Sequence, residues 1–276
     1  MFKISGSHSR SNASNNVKLA EEFNEDPFKF IQSHRVEFDL EDTFFTRIGF
    51  TDKGTNPPVH WFKIKGIEPY RDKHSPEATK IILQRGAKGE LGAFQAYWLP
   101  MTGREVTKSY TLPKDPDSPH LLLTPMLTGC NVVFAQNKLG QTKAVHQLYE
   151  DDETYQLYND SNPQISHMEV LNQALTDKGA NQLVSAKGLI SEDYGAEKTF
   201  QKTFLVGKYE NDQWEFQHQE LHVETKFAEN SSKLSFVYSV KVEPVNMLAV
   251  TSEGRLEANK DVEDYQSDTS SSIRLR

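Results

Sequence analysis

Residues 120–148 read HLLLTPMLTGCNVVFAQNKLGQTKAVHQL and form the most apolar stretch of the chain. Pro125 and Gly129 divide it, because proline removes a backbone donor and glycine admits sharp bends. The pattern predicts a short strand at Leu121–Leu123, a tight bend at Thr128-Gly129, and a second strand over Asn131–Gln136. Lys138–Gln141 reads as a turn and Thr142–Leu148 as a third short strand. Strands joined so closely pair as an antiparallel hairpin. That pairing returns His146 toward the start of the preceding strand, next to Cys130.

Outward from this stretch the chain remains rich in strands. Val36, Phe38 and Leu40 alternate within 35–50, and His60–Ile67, Lys80–Arg85 and Gly92–Leu99 are strand-like. Beyond the hairpin, 199–250 returns to β character, with Gly207 and Asn211-Asp212 as hairpin signals. Helical spacing appears at 17–34, where Pro27 after Asp26 suits the first turn of a second short helix. Ile165–Lys178 is the best helix of the chain, with Met168, Leu171 and Leu175 on one face. Ser166 and Glu169 form its capping box, and Gly179 its stop. The expected class is α+β, with twisted, mostly antiparallel sheets and helices outside them. One domain is expected over 17–251, between flexible tails at 1–16 and 252–276.

Composition narrows the function. The chain has 276 residues, 36% of them apolar, which suffices for a core without disulfides. The net charge is −8, which argues against nucleic-acid binding through a basic face. The N-terminus has no apolar core of a Sec signal, and no stretch is long enough for a membrane span. The expectation is a soluble protein made in the cytoplasm, with export or translocation into a host cell left to some other signal. No cofactor motif is present, and Lys138–Gln141 is a hairpin turn with no phosphate-loop pattern. His218 and His222 share one strand face with Trp214, Phe216 and Glu220, and no third metal ligand accompanies them. No metal or cofactor is expected. The acidic run 150–153 reads as a solvated loop.

Cys130 is the sole cysteine. A lone cysteine is either a small buried hydrophobe or a reactive thiol. Its place after Gly129 suits a nucleophile, since main-chain N–H groups at such a bend can face a developing oxyanion. An imidazole within reach would then take the thiol proton, and local topology nominates His146.

The segment Thr124-Pro125-Met126-Leu127-Thr128-Gly129-Cys130 resembles the Leu-Ser-Gly-Cys nucleophile motif of bacterial glutamine deamidases. That family includes the catalytic domain of cytotoxic necrotizing factor, Burkholderia lethal factor and the chemotaxis deamidase CheD. Its cysteine follows a glycine, and a histidine comes later on a neighbouring strand. Some members also place a threonine ahead of the cysteine. Here Thr124 precedes Cys130 by six residues and His146 follows it by sixteen. Thr128 stands where the motif has serine and keeps a hydroxyl. The match covers 120–148, about a tenth of the chain.

The resemblance implies a β-sandwich of mixed sheets flanked by helices. It implies Cys130 as nucleophile, His146 as base, and Thr124 orienting the imidazole or the substrate amide. Backbone groups around Gly129 and Asn131 would hold the oxyanion. The substrate would be a protein glutamine, as in a toxin or effector acting on a host small GTPase or translation factor. The residues alone leave open a protease or transglutaminase, and a binding module with a packed cysteine.

Overall fold

In the computed structural model, the described residues are 7–39, 41, 55–69, 79–101, 108–115, 117–127, 130–148, 167–176, 182–190, 202–227 and 234–257. They comprise α1 (Ser7–Glu25), α2 (Pro27–Ser33), α3 (His167–Leu175) and thirteen strands. The strands are β1 (Arg35–Phe38), β2 (Val59–Pro69), β3 (Thr79–Arg85), β4 (Phe94–Trp98), β5 (Tyr110–Leu112), β6 (Leu121–Leu123) and β7 (Cys130–Asn137). They continue with β8 (Thr142–Leu148), β9 (Leu183–Leu189), β10 (Lys202–Glu210), β11 (Gln213–Phe227), β12 (Leu234–Pro244) and β13 (Asn246–Leu248).

Two sheets result. The larger runs β1-β3-β2-β4-β6-β10-β11-β12 and the smaller β13-β9-β7-β8-β5. All pairings are antiparallel except β1 with β3 and β4 with β6. The fold is α+β, two packed sheets flanked by helices. Apolar side chains sort into three layers because strand side chains alternate between faces. Leu19, Phe23, Phe30 and Ile31 of the first two helices pack on Phe62, Trp98, Leu123 and Phe204 of the large sheet. Its other face meets the small sheet through Tyr97, Leu122, Leu205 and Phe216 against Cys130, Val132 and Phe134. Leu171 and Leu175 of α3 cover the small sheet's outer face at Val133, Ala135 and Val145. Phe134 and Phe216 stack across the sandwich with centroids 3.5 Å apart.

The β7–β8 hairpin has the expected limits to within one residue. Gly140 closes its turn at φ 73°, and the Asn137 carboxamide accepts from the Leu139 and Gln141 N–H groups. Asn211 and Asp212 both take positive φ, 51° and 63°, which closes the β10–β11 hairpin. Asp26 caps α2 ahead of Pro27, accepting from the Lys29 N–H.

The ends differ from expectation. The first helix opens at Ser7, inside the segment read as tail, and Asn16 donates to the Lys65 carbonyl. The chain also stays folded past residue 251. Leu256 is buried, and its main chain exchanges two hydrogen bonds with the Asn172 carboxamide. Polar composition misled here because a few backbone-directed bonds fix a segment with little apolar content. Ser166, Gly179 and the acidic run 150–153 lie outside the described residues.

Candidate active site

Cys130 opens β7 and His146 lies near the end of β8. The register pairs Cys130 with Leu148 and Val132 with His146. Residues two apart on a strand share a face, so Cys130, Val132 and His146 all turn toward the large sheet. The thiol and imidazole are therefore diagonal neighbours. Backbones in that relation lie about 7–8 Å apart, a gap that long side chains span.

Thr124 follows β6 in the large sheet and is completely buried, as is His146. Its hydroxyl lies 2.6 Å from His146 Nδ1 and 3.0 Å from the Leu99 carbonyl oxygen. A hydroxyl carries one proton and a carbonyl only accepts. The Thr124 proton therefore goes to Leu99, and the Nδ1–H of His146 donates to Thr124. This fixes the neutral tautomer and leaves the lone pair on Nε2. Burial pushes the His146 pKa down to about 3, with a bond to the Leu99 carbonyl acting weakly against it.

With its pKa pushed down to about 3, the imidazole is a weak proton acceptor in this conformation. The thiol is 3% exposed, and its Sγ lies 3.3 Å from Met101 Sδ. Met101 covers the thiol, and the Thr124 hydroxyl ties the neutral imidazole to the Leu99 carbonyl.

Asn131 is buried on the opposite face of β7, and its carboxamide donates to Gln147 at 3.4 Å. Its side chain thus serves the small sheet, while its backbone continues the nucleophile strand. Gly129 and Thr128 lie outside the described residues. The Leu99 carbonyl and Met101 carry no sequence signal, since only the fold brings the end of β4 beside β6. A cleft of about 220 Å³ lined by Phe134, Gln136, Lys187 and Trp214 sits toward the other end of β7.

His218 is buried and its Nε2 lies 3.0 Å from Glu220 Oε1. Among the described residues, no group of three or more metal-ligating side chains converges. No helix among them is long and apolar enough to cross a membrane.

No family model matches the chain. No curated protein matches its sequence. Among solved structures it is similar to the C-terminal domain of CNFy from Yersinia pseudotuberculosis, at 13% identity and a TM-score of 0.28. The likeness covers 54% of this chain and 62% of that one, so less than two thirds of the neighbour is spanned. At that score it is a partial structural likeness that assigns neither family nor activity.

Proposed function

We propose that the protein is a cysteine-dependent amide hydrolase that deamidates glutamine side chains of a target protein. The observation that carries this reading is the Thr124–His146 bond, with Thr124 Oγ1 2.6 Å from Nδ1. It holds a neutral imidazole, with its lone pair on Nε2, on the sheet face that also bears Cys130. A base held in one tautomer by a third group is the arrangement that activates a nucleophile.

In the reaction, His146 takes the thiol proton and the Cys130 sulfur bonds to the carboxamide carbon. Main-chain N–H groups around Cys130 receive the oxyanion. The imidazolium returns its proton to nitrogen, the C–N bond breaks, and ammonia leaves a thioester. Water then attacks, giving one proton to His146, which passes it to the departing sulfur. The sum is glutamine plus water to glutamate plus ammonia. The partner is a protein presenting a glutamine, with small GTPases and translation factors as the first candidates. Because the thiol is covered here, the reaction requires Met101 to move aside.

A second reading, a packed and inert thiol, is favoured by the 3% exposure of Cys130. The test pairs two measurements. Purified small GTPases and translation factors are incubated with the protein and mapped by mass spectrometry. Glutamines gaining about one mass unit, absent with Cys130→Ser, support deamidation. Folded protein whose Cys130 resists iodoacetamide for as long as the fold persists, while urea-unfolded protein is labelled, would establish the packed reading instead.

A further inference from the structure

The large sheet carries three polar residues on the face it turns toward Cys130 and His146. Trp214 and Phe216 of β11 and Leu205 of β10 belong to the layer between the sheets. Strand alternation places His218 and Glu220 with the first two and Thr203 with the third. Register pairs Leu205 with His218 and Thr203 with Glu220. Three ties then fix how the sheets superpose. Phe134 stacks on Phe216. His146, opposite Val132, bonds to Thr124, which is one residue past the Leu123–Val206 pair. Leu127 bridges Thr203 and, three residues later, the chain enters β7 at Cys130. Successive rows thus set Phe134 over Phe216, His146 beside the row of Leu205 and His218, and Cys130 beside the row of Thr203 and Glu220.

These polar groups are poorly explained by stability. A buried polar group without a partner costs free energy. Thr203 Oγ1 and His218 Nδ1 are fully buried, with no hydrogen-bond partner among the described residues. The Glu220 carboxylate only accepts, so His218 Nε2–H donates to it, and on a ring carrying that one proton Nδ1 is an acceptor. An acceptor held inside an apolar layer suits an N–H donor and repels a carboxylate oxygen.

We propose that His218, locked in this tautomer by Glu220, is a specificity-determining residue that selects a primary carboxamide over a carboxylate. The inference rests on the thiol-hydrolase reading and deepens it. Nδ1 accepts from the substrate NH2 group, and Thr203 Oγ1 donates to an oxygen of the bound group. The product has lost its N–H donors and faces both the lone pair and the Glu220 charge, which favours release.

Two alkylating agents of one shape separate the cases. Iodoacetamide carries the carboxamide and iodoacetate the carboxylate. In each the thiolate displaces iodide as the S–C bond forms, and the thiol proton passes to His146 or solvent. Rates at Cys130 of the folded protein are divided by those with glutathione, in about 0.5 M salt to screen the net charge. The expected result is a corrected preference for iodoacetamide that falls about five- to tenfold in His218→Gln, the size of one hydrogen bond. Glu220→Gln should lose the same preference and carries the test if the first variant does not fold. Thr203→Val, which keeps the shape, should slow both reagents and leave their ratio unchanged. Labelling of Cys130 with no preference, or with one unchanged in both His218→Gln and Glu220→Gln, overturns this inference and leaves the hydrolase reading standing. A Cys130 inert to both reagents in the folded protein overturns both.

Discussion

His146 should make the fold acid-sensitive, and the effect can be isolated. Its pKa is lowered by burial from 6.5 to about 3. Below 6.5 the unfolded chain binds a proton there that the folded chain refuses. The stability tied to the neutral ring is therefore complete above pH 6.5 and is lost as pH falls from 6.5 toward 3. At about 1.4 kcal/mol per pH unit, the loss between pH 7.5 and 5.0 is about 2 kcal/mol. Other groups titrate too, so the comparison is with His146→Gln, which removes this proton and leaves the rest. Urea unfolding followed by tryptophan fluorescence at both pH values gives the stability gap between the two proteins. The gap should shrink by about 2 kcal/mol on acidification, well outside the error of extrapolation within one series. Parallel pH curves for the two proteins would mean that His146 is hydrated or charged in the fold, and the closed geometry would be wrong.

Three further outcomes follow from single contacts. Thr124→Val keeps the shape but strips His146 Nδ1 and the Leu99 carbonyl of the hydroxyl between them, at a cost of about 1–3 kcal/mol by urea denaturation, whereas Thr124→Ser should recover most of it. Met101→Ala uncovers the thiol, and native-state labelling of Cys130 should speed up about tenfold, as for a local opening made about 1.4 kcal/mol easier. Gly207→Ala would put a methyl 2.8 Å from the Phe216 ring, which is already stacked on Phe134, and should cost about 1–3 kcal/mol in thermal or urea unfolding.

Local chemistry made the hairpins readable. The KLGQ turn and the Asn211-Asp212 pair specify φ values, and the Cys130–His146 relation follows once 130–137 and 142–148 are paired. Asp26-Pro27 marked a helix start for the same reason. The three-residue β5 is too short to show periodicity, and β9, with Gly188 and Lys187 in a buried strand, lacks a clear alternation. Both parallel pairings join segments whose partners no turn predicts. Thr124 came from motif spacing, but its bond to Leu99 depends on β4 and β6 being neighbours, which is a property of the whole sheet. His218 and Glu220 did leave a trace. They continue an apolar period-two face begun by Trp214 and Phe216, and His218 is buried there with them.

The order of strands in the large sheet also governs when the site comes into being. β6 lies between β4 and β10, and the Val36 N–H is held by the Gln219 side chain from 183 residues away. The β7–β8 hairpin can close as soon as it leaves the ribosome, but the surface it packs on needs β10 and β11. The 79 residues from Leu148 to Phe227 take about 4–16 s at ordinary elongation rates, so that surface arrives late. Through that interval the Leu121–Leu123 strand has β4 beside it but lacks β10, and such long-range closure is slow in itself. The nascent chain should therefore depend on chaperone shielding of this one segment, and fragments ending before β11 should aggregate.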